Sequence, residues 1–157
     1  MKSLRTSVLC ACFALCSLGS FAQEKSVPVN EPDYNKPKLF AGLPDQVQLN
    51  TDDLGNLFST PLGRGASLRF ADDTQLRFEG EVVSSGSKYG NSLQTVVVRS
   101  TNYNGANLTL SKVTQSDGSV VYRGRIISLK HGDLYELQQR DGRYVFVKRN
   151  FYDLVNE

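Results

Sequence analysis

From residue 67 onward, apolar and polar residues alternate along most of the chain with a period of two, which is the period of a β-strand with one buried face. The clearest stretch is Gln75–Ser84. Its even-numbered positions from Leu76 to Val82 are apolar or glycine, and its odd-numbered positions from Arg77 to Glu81 are charged. Similar runs are separated by turns rich in Gly, Asn, Asp and Ser. The pattern predicts strands at residues 67–70, 75–84, 93–99, 106–114, 119–128, 133–139 and 143–148.

The connections between these strands are short, which favours antiparallel pairing because parallel neighbours need a long crossover. Before the first strand, Thr51–Phe58 predicts a short helix with Thr51 or Asp52 as its N-cap. The sequence therefore predicts a mainly β fold, an antiparallel meander of six to seven strands with one short N-terminal helix. Such a meander forms a curved sheet, a partly closed barrel or a small sandwich.

Two of the predicted strands resemble each other. Leu76–Ser84 and Val120–Ser128 align with a glycine at the same place, Gly80 in the first and Gly124 in the second. A glycine in the middle of a strand is typical of a bend, a bulge or a close approach by a neighbouring chain. The matched pair indicates coordinated curvature, as in the wall of a barrel, and an internal duplication is one possible origin.

The charges that flank these glycines are opposite in sign, Glu79 and Glu81 in one strand against Arg123 and Arg125 in the other. If the two strands lie side by side, a Glu/Arg ladder follows. The favoured interpretation is that these four residues face solvent and fix the strand register. The alternative is that they line a polar groove or the barrel interior, and they are kept as candidate binding residues.

The first residues predict an export signal. Lys2 and Arg5 precede an apolar run at Val8–Leu18, and small residues lead to a cleavage site after Ala22. The run is too short to favour a retained membrane span. We therefore expect residues 1–22 to be a signal peptide, 23–43 a flexible N-terminal tether rich in proline, and 44–157 a single β-rich domain. Phe40 and Leu43 are the first expected anchors to a core.

Cleavage after residue 22 changes the charge and the redox chemistry. The 18 basic residues fall to 16, equal to the 16 acidic ones, and all three cysteines leave with the signal. The mature chain can form no disulfide, and its neutral balance predicts neither nucleic acid nor an anionic membrane as a partner. These features indicate a periplasmic or extracellular bacterial protein.

Catalytic chemistry is sparse. His131 is the one histidine, and His131-Gly132-Asp133 lies in a predicted tight turn, where such residues usually shape the turn. Glu79 and Glu81 have a spacing compatible with a glycosidase pair but lie in a strand. No catalytic residue, metal ligand or cofactor is assigned.

In a meander, alternate loops lie at the same end of the sheet, which gathers loop residues into two groups. Tyrosine among Gly, Asn and Ser is a frequent composition of contact surfaces, although a loop tyrosine more often covers the hydrophobic rim. One end would carry the candidate binding residues Tyr103, Asn104, Lys130 and His131. The other end would carry Lys88, Tyr89, Asp117 and Asp141.

The leading hypothesis is an exported, non-enzymatic β-domain that binds a protein or a small ligand through loop ends or a sheet edge. One alternative is a small secreted hydrolase that uses Glu79, Glu81, His131 and Asp133. The other is a structural subunit that assembles through exposed strand edges. The identity of the partner and the oligomeric state are left open.

Overall fold

The computed structural model describes residues 35–70 and 73–154, all of which belong to one compact unit, residues 34–157. The predicted signal peptide and residues 23–34 of the predicted tether lie outside the described residues. The mainly β, antiparallel prediction is confirmed, since the described residues form a curled half-barrel sheet and one short α-helix.

The sheet contains eight strands within the described residues, one more than the sequence predicted. Strands β2 to β8 form the expected meander, and β1 is added beside β8, so that the sheet order is β1-β8-β7-β6-β5-β4-β3-β2. A single bridge between Leu49 and Phe70 brings the two edges of the curled sheet together. The elements in chain order are β1 Gln46–Gln48, α1 Thr51–Ser59, β2 Gly65–Phe70, β3 Asp73–Lys88, β4 Leu93–Ser100, β5 Asn107–Thr114, β6 Val120–Ser128, β7 Asp133–Arg140, β8 Arg143–Asn150 and a final 3-10 turn at Phe151–Leu154.

The N-cap of helix α1 is Asn50, one residue before the first expected cap, because its side chain accepts a hydrogen bond from the Asp52 amide at 2.9 Å. The helix is fixed to β2 by Asp53, whose buried carboxylate accepts hydrogen bonds from Arg69 Nε and Nη2, both at 2.9 Å. These bonds lower the pKa of Asp53 below its usual range. The ion pair therefore supports the helix wherever the carboxylate is ionised.

One hydrophobic core lies between the inner face of the sheet and the helix. It takes one side of each strand, as the period-two pattern predicts, together with the buried face of α1. Its most buried members include Phe40, Leu54, Leu68, Phe78, Val82, Val96, Val98, Leu108, Leu110 and Phe146.

The matched glycines mark close approaches between strands. A Cβ on Gly80 would lie 2.2 Å from the Arg99 carbonyl oxygen, and one on Gly124 would lie 2.5 Å from the Thr109 oxygen. The register of β3 also shifts between Val82 and Ser84, so a bulge follows Gly80 closely. The curvature inferred from the two glycines thus has a steric basis.

The condition for a Glu/Arg ladder, that β3 and β6 lie side by side, is not met. Strands β4 and β5 lie between β3 and β6, because each strand of a meander pairs with its neighbours in sequence. Arg125 lies opposite Thr109 of β5 and Glu136 of β7, and Glu81 lies opposite Arg99 of β4.

Strands β3 to β6 continue beyond the core as a four-stranded extension, here called the arm, which comprises residues 84–88, 93–95, 111–114 and 120–123. Its side chains are exposed or half-buried on both faces, and the last buried positions before it are Val82, Val96 and Leu110. Apart from Tyr122, whose ring packs on those of Phe58 and Tyr144, the arm is therefore a thin sheet with both faces exposed to solvent.

Candidate functional site

The loops that carry Tyr103, Asn104, Lys130 and His131 lie next to each other at the end of the half-barrel opposite the arm, as the meander predicts. Tyr103 is half-buried there. Its ring contacts those of Phe40 and Phe78, with centroids 5.7 and 6.1 Å apart, and burial raises the pKa of its phenol. Asn104 and Lys130 are exposed. Tyr103 therefore covers the rim of the core, the alternative that the sequence favoured for a loop tyrosine.

Residues 37–45, here called the strap, cross this end of the sheet. The buried carboxylate of Asp133 accepts hydrogen bonds from the backbone amides of Leu39 and Phe40. The Lys38 ammonium donates to the Gly132 carbonyl at 2.8 Å, and His131 Nδ1 lies 2.9 Å from the Pro37 carbonyl. His131 and Asp133, two residues of the hydrolase alternative, thus hold the strap in place.

The far part of the strap is bound to β7 and β8. Tyr135 donates its hydroxyl proton to the Pro44 carbonyl at 2.5 Å, and burial raises the pKa of this phenol. The Lys148 ammonium donates to the Leu43 carbonyl at 2.7 Å. Backbone carbonyls of the strap accept both bonds, so the bonds fix the position of the strap. They also engage the Tyr135 hydroxyl and the Lys148 ammonium.

The four matched charges all occupy the outward face of the sheet. Arg123, Arg125 and Glu81 are exposed, and Glu79 is half-buried beside Arg77, with 3.3 Å between carboxylate and guanidinium. The alternative that they line the barrel interior is wrong, because the inward positions of β3 and β6 next to them hold Phe78, Gly80, Gly124 and Ile126. The carboxylates and the histidine of the hydrolase alternative therefore face different surroundings.

A polar concavity lies on the inner face of the arm and is here called the arm groove. It has a volume of about 590 Å³ and is open to solvent. Hydroxyl, amide and ammonium groups dominate its lining: Gly90, Asn91, Ser92, Gln94, Lys112, Thr114, Gln115 and Ser116. The groove can therefore offer both donors and acceptors to a small hydrophilic molecule.

Sequence reasoning placed Tyr89 at this end of the sheet but missed the strand residues of the groove. Gln94 and Lys112 face each other across β4 and β5, at inward positions that continue the buried series of Val96 and Leu110. Polar side chains that continue an apolar period were the available signal. The sequence alone did not show that β4 and β5 extend beyond the hydrophobic core at this end of the sheet.

The loop between β3 and β4 holds the rim of the groove in a costly backbone conformation. Tyr89, Gly90 and Asn91 have φ angles of 53°, 61° and 71°, in the left-handed region that disfavours a tyrosine. The Ser92 hydroxyl donates to the Tyr89 carbonyl at 2.8 Å, and the Thr114 amide donates to the Ser92 carbonyl at 2.8 Å. The loop is thereby braced against β5, while the Tyr89 side chain is 80% exposed.

The charges near the groove are few. Lys112 forms no ion pair with any described residue, so its ammonium is available to a ligand. Asp117, in the neighbouring turn, has a lowered pKa because the Ser119 side chain and then the Ser119 amide, at 2.9 Å, donate hydrogen bonds to its carboxylate. The Asp117 carboxylate is thus engaged within its own turn. Lys112 is the charged residue of the groove lining, so the groove carries a positive charge.

Comparison with family models, curated proteins and solved structures finds no match to this chain. Among the described residues, no three His, Cys, Asp or Glu side chains are grouped so that they could hold a metal ion. None of the helices in residues 35–70 and 73–154 has the length and apolar character needed to cross a membrane.

Proposed function

We propose that this chain is an exported, non-enzymatic β-domain that binds a small hydrophilic ligand in the arm groove, in the periplasm or outside the cell. The observation that carries the proposal is a groove of about 590 Å³, lined by hydrogen-bonding side chains and bordered by an exposed tyrosine on a braced loop. This volume lies within the range of about 300–1,000 Å³ typical of ligand sites.

A short saccharide fits this chemistry best. Sugars present many hydroxyl groups, which pair with amides such as Asn91 and Gln94 of the groove lining. The Lys112 ammonium adds a donor for a ring oxygen or a sugar carboxylate. Because the groove is open and polar, we expect a Kd near the millimolar to micromolar range, about −4 to −8 kcal/mol.

Two-dimensional NMR titration with the uncharged trisaccharides chitotriose, maltotriose and cellotriose tests this site. At least one of the three should shift the amide signals of Asn91 and Gln94, and Lys112→Ala should weaken that binding about tenfold, as expected for one hydrogen bond to a charged group. Lys130→Ala is the matched control, because it removes the same charge at the opposite end of the sheet. Equal affinity of Lys112→Ala and Lys130→Ala would contradict the assignment.

Export is tested separately by the mass of the protein that a Gram-negative bacterial host produces from the full chain. Cleavage after Ala22 predicts a product that begins at Gln23 and is recovered from the periplasm or the medium. Leu15→Arg interrupts the apolar run and should leave the full chain in the cytoplasm. An uncleaved cytoplasmic product of the unaltered chain would refute the export part of the proposal, whatever the groove binds.

The two alternatives find less support. His131 and Asp133 are engaged with the strap, and Glu79 is paired with Arg77, so the hydrolase residues do not converge. Assembly through an open strand edge would use the terminal strand β2, the part of β3 beyond Val82, or the part of β6 before Arg125. Two of these edges are partly occupied, because the Arg69 amide of β2 donates to Asp53 at 3.2 Å and the Tyr122 amide of β6 donates to the Tyr144 hydroxyl at 3.1 Å.

A further inference from the structure

Arginine is concentrated on the outward face of the sheet. Of the nine arginines that follow residue 22, eight occupy outward strand positions, and Arg64 lies in a loop. Only three carboxylates of the described strand side chains share this face, those of Glu79, Glu81 and Glu136. The eight arginines are Arg69, Arg77, Arg99, Arg123, Arg125, Arg140, Arg143 and Arg149.

From this asymmetry we infer that the outward face of β4, β5 and β6 is a second binding surface, whose partner is an acidic polysaccharide. A chain that is close to neutral as a whole gains nothing in solubility from gathering its arginines on one face. Planar guanidinium groups in such an array match carboxylate and sulfate groups bidentately. The inference is independent of the arm groove, which lies on the inner face.

Three arginines of this face form no ion pair with a described residue, although Arg99 lies opposite Glu81 and Arg125 lies opposite Glu136 in the strand register. Arg99, Arg123 and Arg125 are exposed and take part in no ion pair there. Glu136 lies opposite Arg125 in the register, but its carboxylate accepts hydrogen bonds from Gln138 at 2.9 Å and Arg149 at 3.3 Å. The three guanidinium groups are therefore available to an external anion.

Three hydroxyl side chains lie on this face beside the arginines. Thr109 and Ser111 of β5 lie opposite Arg125 and Arg123, and Thr95 of β4 lies opposite Ser111, with 3.3 Å between the two hydroxyl oxygens. Neighbouring strands are about 4.8 Å apart, and alternate residues of one strand are about 7 Å apart. The face thus presents hydroxyl and guanidinium donors, with the apolar side chains of Val97 and Val113 among them, and its repeated guanidinium groups suit a linear polymer with a repeated anionic group.

Two features of the outward face disfavour nucleic acid as its partner. None of the outward strand positions described by the structure carries an aromatic side chain, so single-stranded bases have no ring to stack on. The face is also the convex side of a curled sheet, without the groove that usually follows a nucleic acid backbone. A flexible carbohydrate chain can follow this convex surface and needs only charge and hydroxyl contacts.

Binding to polygalacturonate, measured by calorimetry at low ionic strength, tests the inference. We expect the unaltered protein to bind, and we expect the affinity to fall steeply as salt is added, because exposed charges are screened. Arg123→Ala/Arg125→Ala should weaken binding at least tenfold. The control Arg64→Ala/Lys130→Ala removes two exposed positive charges away from the face and should stay within about twofold of the unaltered protein.

Comparison probes identify the class of partner. Dextran, an uncharged polysaccharide, should not bind, and duplex DNA or vesicles of anionic lipid should bind more weakly than polygalacturonate. Absence of polygalacturonate binding, equal weakening by the two double variants, or tighter binding of DNA or vesicles would each overturn the inference. Lys112→Ala should leave polygalacturonate binding unchanged, so failure of this face and failure of the arm groove are distinguishable.

Discussion

Gly80→Ala is expected to lower the free energy of unfolding by about 3 kcal/mol or more. The new Cβ would lie 2.2 Å from the Arg99 carbonyl oxygen and 2.8 Å from the carbon of the same group, so β3 and β4 would have to move apart. Overpacking usually costs about 1–3 kcal/mol, and a backbone contact belongs at the upper end because no rotamer change relieves it. Urea unfolding followed by circular dichroism measures the loss.

Gly86→Ala is the matched control, since it lies in the same strand but in the arm. Nothing lies within 4 Å of the Cβ position of Gly86, and its backbone does not require glycine. We expect a change within about 0.5 kcal/mol, or a slight stabilisation because alanine restricts the unfolded chain. Similar losses in both variants would show that glycine itself, and not the close approach to β4, determines the effect.

The sequence predicted the meander well because its signals are local. Alternation within each strand and a turn before the next strand predicted β2 to β8 in their order, including the tight turn at Asp141-Gly142, where both φ angles are positive. The matched glycines were also visible as a sign of curvature. The neighbours of β3 and β6 depend on the whole sheet order, so the likeness of the two strands could not decide whether a ladder forms between them.

Strand β1 was missed because three residues are too short for a periodic signal. Gln46–Gln48 becomes a strand through its pairing with Val145–Val147, and this partner lies about one hundred residues further along the chain. The arm groove was missed for a similar reason. Its strand residues Gln94 and Lys112 look like ordinary interruptions of an apolar pattern until the sheet is seen to extend past its core.

The long-range contacts of the strap could not be predicted from its composition. Its prolines and polar residues predicted a flexible tether up to Leu43, because such a segment buries little apolar surface of its own. Its contacts are instead long-range and directed at the backbone. Asp133 accepts the amides of Leu39 and Phe40 from 94 and 93 residues away, and this pairing has no signature in the local sequence.

Phe40→Ala tests whether the strap belongs to the cooperative unit. Phe40 is 1% exposed, and its ring lies 5.7 Å from that of Tyr103 and 5.3 Å from that of Tyr135. Removing a fully buried phenylalanine costs about 3–5 kcal/mol through lost burial and the cavity left behind. We expect a loss of this size in urea unfolding of residues 23–157, a large fraction of the roughly 5–15 kcal/mol that stabilises most domains.

Leu62→Ala is the control for this variant, because Leu62 is 65% exposed and its truncation should cost less than about 0.5 kcal/mol. A loss below about 1 kcal/mol in Phe40→Ala would mean that the domain begins after the strap, near residue 44, as the proline-rich composition predicts. A loss of several kcal/mol with an unchanged urea m-value would place the start of the folded unit at or before Phe40. In that case Asp133 stabilises the domain by holding the strap amides, because this carboxylate then keeps Phe40 in the core.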